Sequence, residues 1–316
     1  EADRFQRLKY PESAYKTESL AVLGEYNKDS ADPTSKLDEV LHATAFKKHT
    51  YAHTTIGFLE DIKDMPNQYN YSHQFYNRFY RPEYTTIILA GDVTRERGLE
   101  LTRKYFGEWK RGNYLPDIPA EPPQIEPRSA NLSWPAPTLP WLAIAFRGPA
   151  YSDEKKDKAA LDLLAPVAFG SNSDLYQRLV LKEQKLDTLY SSFGNHPNPE
   201  LFTVYARVKD PKDMDYVREE ILATFKRFTD ETVDLEKLDA TRSRIRYAFA
   251  LRMNSSAAIA NGLAPYIGLR RTPDTVNKLF ALYLQITPED IRAMANQYFT
   301  ENNRTIVTLT YERAKN

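Results

Sequence analysis

The chain has 316 residues, which is long enough for two domains of ordinary size, each with its own core. Its 43 Lys and Arg residues balance its 43 Asp and Glu residues, and this balance disfavours a protein that gathers nucleic acid or an anionic membrane. No segment has the ~18 consecutive apolar residues of a membrane-spanning helix, and the lack of cysteine excludes disulfides, thiolate metal sites and cysteine nucleophiles.

The first predicted helix carries the most informative pair of residues, Glu18 and Glu25. Seven helical steps bring the two carboxylates to within ~20° of the same direction, while the rise along the axis separates them by ~10.5 Å. One of them is therefore expected to bind a metal ion and the other to assist it. On spacing alone, two glutamates on a polar helix face are more often solvated charge than a metal site.

The rest of the first unit, residues 1–112, reads as further helices and one strand. Ser35 is expected to cap a helix in which Leu37, Val40, Leu41 and Ala45 recur at helical spacing. Thr85–Ala90 is predicted to be a strand, followed by a tight turn and a helix. A single strand cannot make a sheet, so this unit looks incomplete.

A proline-rich stretch, residues 113–130, separates this unit from the second one, residues 131–316. Its five prolines remove amide donors and forbid a continuing helix or central strand, which is typical of a linker.

The second unit is predicted to be an α+β domain with more helices and strands than the first unit. Its expected elements are a strand at Leu142–Arg147, a helix around Asp157–Leu164 that stops near Pro166, a helix from Ser173, strands at Thr188–Phe193 and Leu201–Val208, helices at Tyr216–Phe228 and Leu235–Met253, a helix start at Thr287 and a strand at Arg304–Thr310. The alternation in Leu201–Val208 indicates a half-buried antiparallel strand.

The two units share a short sequence similarity. Phe79-Tyr80 followed by Ile87-Ile88 matches Tyr298-Phe299 followed by Ile306-Val307 at the same spacing. Each copy reads as a helix end bearing aromatics, a polar turn and a β-branched strand. A duplication of one fold in tandem is favoured over a coincidence, because the similarity agrees with the position of the linker.

The order of landmarks along the chain resembles the insulinase and pitrilysin family of zinc metallopeptidases. After Glu18 and Glu25, the landmarks are Phe46-Lys47-Lys48-His49-Thr50-Tyr51, Ile56-Gly57, Phe79-Tyr80-Arg81-Pro82, Ala90-Gly91-Asp92, Ala145-Phe146-Arg147-Gly148-Pro149-Ala150 and Ser173-Asp174-Leu175-Tyr176. The resemblance spans nearly the whole chain. It implies two tandem α+β domains, each a sheet packed with helices, that face each other like a clam shell and enclose a peptide.

In that family, zinc is held by two histidines of an H-x-x-E-H motif and by a downstream glutamate, with a second glutamate seven residues before it. The resemblance implies that Glu25 is the zinc ligand and Glu18 the catalytic helper. Such a site leaves a fourth position for a water molecule that the metal activates.

Two departures qualify this assignment. No H-x-x-E-H occurs in the 316 residues, so we expect a segment that starts downstream of the motif and neither binds zinc tightly nor cleaves peptides. In the second unit, Val180 aligns with the family's arginine, and Asp187 or Thr188 with its tyrosine, whereas Arg178 and Tyr190 are nearby but out of register.

His49 and His53 have the i, i+4 spacing that would suit a metal on a helix. The Thr and Tyr residues around them favour loop or extended structure, and no carboxylate lies at helical reach. We therefore expect a loop pair and not two ligands.

Two functional hypotheses follow. The first is that the chain is part of a zinc endopeptidase that cleaves short, unstructured peptides in an enclosed chamber. The alternative is a pitrilysin-like pseudopeptidase or scaffold subunit that pairs with a catalytic partner. We expect peptide substrates, a homodimer or a heterodimer with another subunit of this type, no nucleic acid, and a periplasmic or secreted location in preference to the cytoplasm.

Overall fold

The structure is a computed structural model that describes residues 1–311; residues 312–316 of the predicted second unit lie outside this range. The helices are α1 Ala2–Arg7, α2 Glu12–Asp29, α3 Pro33–Ala45, α4 Leu59–Asp64, α5 Tyr69–Phe79, α6 Arg95–Phe106, α7 Lys156–Phe169, α8 Asp174–Tyr176, α9 Met214–Asp230, α10 Leu235–Arg252, α11 Ser256–Arg270, α12 Asp274–Gln285 and α13 Pro288–Tyr298. The strands are β1 Arg128–Trp134, β2 Trp141–Arg147, β3 Leu186–Ser192, β4 Leu201–Val208 and β5 Arg304–Tyr311.

The five strands form one mixed sheet in the order β1-β5-β2-β4-β3. β1 pairs in parallel with β5, and the other neighbours are antiparallel. The prediction of an α+β fold is thus confirmed. β1 begins at Arg128, inside the stretch predicted as linker, while residues 113–127 contain no helix or strand.

Both faces of the sheet are covered, each by helices from a different part of the chain. One face packs on α7, α9 and α13 in the larger core, which includes Ile144 and Phe202, both 0% exposed. The other face packs on α3, whose Leu37 and Leu41 are also 0% exposed. Burying one such leucine contributes about 1.5–3 kcal/mol, so α3 is firmly attached to the sheet.

The prediction that Leu201–Val208 is half-buried was wrong for this reason. Thr203 and Tyr205, on the side expected to meet water, are buried as well. The alternation in the sequence reflects two chemically different buried faces, and the helix that covers the second face comes from far away in the sequence.

Capping side chains determine where α3 and α13 begin, and the cap of α3 differs from the predicted one. Asp32, and not Ser35, caps α3: its Oδ1 accepts hydrogen bonds from the amides of Thr34 at 2.7 Å and Ser35 at 3.2 Å, and Pro33 opens the helix. Thr287 and Asp290 form a reciprocal cap at the start of α13, where the sequence predicts a helix start.

Two other predicted elements differ in the structure. Thr85–Ala90 is not a strand, because residues 1–127 provide no strand to pair with it. The helix expected to stop near Pro166 continues to Phe169 as α7. Pro166 removes one helical hydrogen bond, but the turn that follows is held by Ala168 and Phe169, which are buried in the larger core.

The proline-rich stretch is anchored to the first unit by Glu121. Its carboxylate accepts hydrogen bonds from the three backbone amides of residues 47–49, at 2.8, 2.7 and 3.0 Å. The guanidinium groups of Arg128 and Arg147 each lie 3.9 Å from the same carboxylate, whose side chain is 5% exposed. The Glu121 clamp, as we call this arrangement, joins the stretch both to the first unit and to the sheet.

Candidate functional site

The helix α2 places Glu18 and Glu25 on one side, as their spacing predicts. Its buried stripe is formed by Ser19 and Tyr26, which are also seven residues apart. Because Glu18 and Glu25 each precede a buried residue by one position, they form a parallel, exposed stripe beside it. The two carboxylates are thus held by a helix and remain accessible from solvent.

Glu25 lies at a cavity of about 430 Å³ between α2, α3 and the loop that follows α3. The lining is dominated by carboxylates and hydroxyls, from Glu25, Tyr26, Asp29, Ser30, Ser35, Asp38, Glu39, Thr54, Thr55 and Ile56. We call this the acidic cavity. Glu18 is not part of its lining, so the two predicted site residues differ in their surroundings.

Hydrogen bonds hold two carboxylates of the acidic cavity, those of Glu39 and Asp38. The Tyr26 hydroxyl donates to Glu39 Oε2 at 3.3 Å, and Lys36 Nζ donates to Glu39 Oε1 at 2.6 Å. The hydroxyl of Tyr205, on β4, donates to Asp38. The acidic cavity therefore adjoins the sheet of the second unit.

The negative charge of the acidic cavity contributes to the raised pKa of two tyrosines of the sheet. Burial raises the pKa of Tyr205, and the neighbouring Asp38 carboxylate raises it further. Tyr190 stacks on Tyr205, with ring centroids 5.0 Å apart, and its pKa is raised by burial and then by Asp38 and Asp32. Both hydroxyls remain protonated at neutral pH, and that of Tyr205 donates a hydrogen bond to Asp38.

The residues present do not by themselves fit a zinc ion. Within residues 1–311, no group of three or more His, Asp or Glu side chains is arranged to hold a metal. His49 and His53 flank a short 3₁₀ turn, Thr50–Ala52: His49 Nδ1 accepts the Tyr51 amide at 3.0 Å, and His53 Nδ1 lies 2.9 Å from the Thr54 carbonyl oxygen. Glu25 could supply one carboxylate, whereas a catalytic zinc site needs three protein ligands.

The second unit places Val180 and the out-of-register Arg178 in different surroundings. Val180 packs against the larger core. Arg178 is engaged elsewhere, since it pairs with Glu220 and Glu183 and donates to the Tyr216 hydroxyl at 3.0 Å.

Tyr190 does face the first unit, through Tyr205 and Asp38. Sequence reasoning missed Asp38, Glu39 and Tyr205 as members of this site. In the sequence, Tyr205 gave the one signal of this site. It lies in the alternating strand Leu201–Val208, on the face that we expected to be exposed to solvent.

A family model described as the peptidase M16 inactive domain matches residues 68–245, more than half of the chain. The chain belongs to this M16 family. The family match confirms the resemblance to insulinase and pitrilysin metallopeptidases that the sequence landmarks suggested.

Curated M16-type relatives carry protease names. The chain is 25% identical over 276 residues to the zinc protease PqqE of Helicobacter pylori, covering 84% of this chain and 60% of that protein. It is 24% identical over 301 residues to a probable mitochondrial-processing peptidase subunit beta of Schizosaccharomyces pombe, covering 90% of this chain and 64% of that protein. The chain thus spans less than two thirds of the length of these two relatives.

Solved structures of M16-type proteins share the fold. A protease from Helicobacter pylori matches with a TM-score of 0.88 at 24% identity, over 98% of this chain and 75% of that chain. The first half of the periplasmic protease PqqL from Escherichia coli matches with a TM-score of 0.75 at 14% identity, over 98% of this chain and 69% of that chain. Among residues 1–311 of the M16 chain, no helix is long and apolar enough to cross a membrane.

Proposed function

We propose that the chain is part of a zinc endopeptidase, with Glu25 as one metal ligand, Glu18 as its helper and the remaining ligands on polypeptide outside the 316 residues. The observation that carries this proposal is the position of both carboxylates, exposed on one side of α2, in a chain of the M16 family. A purely structural helix has no need for this pair. Without the other ligands, the 316-residue segment is inactive.

The proposal includes the organisation and the substrates of the intact protein. Residues 1–112 form the last part of a catalytic domain, 113–130 the connection and 131–316 a related second domain. The two domains face each other around an enclosed chamber that admits short, unstructured peptides. A periplasmic or secreted location suits this role, and the PqqL protease among the structural neighbours is described as periplasmic.

Substitutions in the intact protein test the two glutamates. We expect Glu25→Gln to lose both zinc and peptide cleavage, while Glu18→Gln retains zinc and loses about 10–100-fold in turnover, as for residues that orient a metal ligand. Zinc content and cleavage of an unstructured peptide are the measurements. Glu12→Gln, on the same helix, is the matched control and leaves both unchanged. A Glu25→Gln protein with normal zinc and activity would overturn the assignment.

A second candidate is a scaffold subunit that pairs with a catalytic partner. It is favoured by Val180 at the position of the family's arginine and by the engagement of Arg178 with Glu220 and Glu183. The fission-yeast relative is itself named as a subunit. An intact protein that holds no zinc, but raises the activity of an added M16 peptidase, would support this candidate over the first.

A further inference from the structure

The strand β1 lies at one edge of the five-stranded sheet and β3 at the other. Within residues 1–311, β1 pairs with β5 and packs on α3, and no strand pairs with its outer edge. In a parallel pair, alternate residues of an edge strand direct their backbone N–H and C=O groups away from the neighbouring strand. The outer edge of β1 therefore presents a row of backbone donors and acceptors to which a further strand can bind.

The side chains of β1 leave this edge accessible. Ser129, Asn131 and Ser133 are exposed on the sheet face opposite α3. Arg128 is the one charged residue of the strand, and its guanidinium points towards α3, where it donates to the Ala45 carbonyl oxygen at 2.5 Å. The pairing of β1 with β5 is regular, and the strand contains no proline. β1 thus lacks the bulges, prolines and outward charges by which edge strands usually avoid pairing.

The other edge strand, β3, is protected. Its pairing with β4 is interrupted by an irregularity between Leu186 and Thr188. Asp187, at this point, is exposed, and its carboxylate pairs with Arg207 at 3.4 Å. A bulge and a charge both disfavour the addition of a further strand. The sheet therefore has one protected edge and one open edge.

The sequence of the open edge is nearly symmetric about Asn131. It reads Pro127-Arg128-Ser129-Ala130-Asn131-Leu132-Ser133-Trp134-Pro135. When two copies are aligned antiparallel with Asn131 opposite itself, serine faces serine, alanine faces leucine and proline faces proline at both ends. Arg128 then faces Trp134 and not a second arginine. No like charges meet in this alignment, and the paired segment ends where proline removes the backbone amide.

The backbone geometry suits the same alignment. Two residues at equal distances before and after Asn131 are an even number of positions apart, so they direct their backbone groups to the same edge of β1. An antiparallel register centred on one residue therefore sets the outward groups of one copy opposite those of the other. A register shifted to a centre between two residues would oppose outward groups to inward ones. A centre on Ala130 would shorten the paired segment.

We propose that β1 is a dimerisation strand, which pairs antiparallel with β1 of a second copy about a two-fold axis at Asn131. The two sheets then form one continuous sheet. The occupant is a second copy because the strand is complementary to itself, and a two-fold interface uses the same surface of both copies. Ile125, which is 81% exposed shortly before β1, adds apolar surface beside the paired strands. This interface requires neither zinc nor peptide cleavage.

A single cysteine tests the register in the intact protein. Directly opposite Cα atoms of antiparallel strands are about 4.5–5.5 Å apart, which is within the range of a disulfide. We expect Asn131→Cys to cross-link two copies under mild oxidation. Ser129→Cys, at an exposed position of the same strand, is the control, because the two Cα atoms at position 129 would be roughly 13 Å apart. No cross-link at position 131, or equal cross-linking at both positions, would overturn the proposal.

Charged substitutions at Asn131 test the interface at equilibrium. We expect Asn131→Lys and Asn131→Asp each to raise the dimer Kd at least about tenfold, because like charges face each other across the axis. An equimolar mixture of the two variants should recover a dimer, which a damaged fold would not do. Ser192→Lys, at an exposed position of β3, is the control and leaves the Kd unchanged. Sedimentation velocity of the intact protein gives these values.

Two outcomes of these measurements would overturn the proposal. One is a dimer whose Kd is the same with Asn131 and with lysine at that position. The other is a wild-type protein that stays monomeric. If the amides of β1 in such a monomer also exchange slowly with solvent, the edge is paired with polypeptide of the same molecule and not with a second copy.

Discussion

In the second region of the molecule, residues 128–311, a five-stranded sheet is covered by that region's own helices on one face and by α3 on the other. The first region, residues 1–112, has helices of similar length but no strand of its own. The first region exposes large apolar side chains such as Phe75, and a groove of about 710 Å³ between α2, α4 and α5 is lined largely by aromatic rings. The difference shows that helices form in the first region without a sheet of their own, and that this leaves large apolar side chains exposed.

Truncating one phenylalanine in each region measures this contrast most directly. Phe202 is 0% exposed and contacts the rings of Phe169, Phe193, Phe225 and Phe299. We expect Phe202→Ala to lower the free energy of unfolding by about 3–5 kcal/mol, because the cavity cannot close fully.

The matched change in the first region is Phe75→Ala, at a side chain that is 45% exposed. We expect this substitution to lower the free energy of unfolding by about 1 kcal/mol or less. Urea unfolding of the 316-residue chain gives both values, and similar costs for the two variants would contradict the contrast between the regions.

Removal of the Glu121 clamp is expected to have the next largest effect on the free energy of unfolding, because the clamp joins the two regions. Glu121→Ala leaves three backbone amides of residues 47–49 without an acceptor. We expect a loss of about 2–3 kcal/mol in the free energy of unfolding, because hydrogen bonds to a charged acceptor are lost. Glu126→Ala, in the same stretch but exposed, serves as the control. Equal stabilities of the two variants would show that the clamp contributes little.

The smallest predicted effect is the pH dependence that His49 contributes at the same junction. Burial, with help from Arg147, lowers the pKa of His49 below its ordinary value of 6.5, although Glu121 opposes the shift. The folded state therefore binds fewer protons than the unfolded state, so this contribution is complete above pH 6.5 and is lost as the pH falls below it.

His49→Asn tests this sign, because asparagine keeps an acceptor for the Tyr51 amide and does not titrate. The free energy of unfolding should decline less steeply in the variant than in the wild type between about pH 7 and about pH 5. Parallel curves for the two proteins would rule out the effect.

The sequence predicted those parts of the fold that depend on local chemistry. The cap at Thr287, the strand at Leu201–Val208 and the helices after it are recognisable because a few neighbouring residues determine them. The strand at Thr85–Ala90 has the right composition, but a strand also needs partners, and composition does not reveal their absence.

The candidate site was only partly predictable for a similar reason. Glu18 and Glu25 are visible because one helix carries both. Asp38 and Tyr205 come together through the packing of α3 on a distant sheet, and no spacing in the sequence encodes their contact. Whether Glu25 binds a metal stays a prediction until the intact protein is analysed.

The position of α3 has a practical consequence for anyone who divides the gene at the proline-rich stretch. The boundary between the halves in sequence is not a boundary in space, because Leu37 and Leu41 fill the surface of a sheet encoded after the cut. Each half expressed alone would expose this apolar surface to solvent and would be prone to aggregate. If the two halves are expressed in the same cell, we expect them to associate through this surface, as the fragments of a split reporter do.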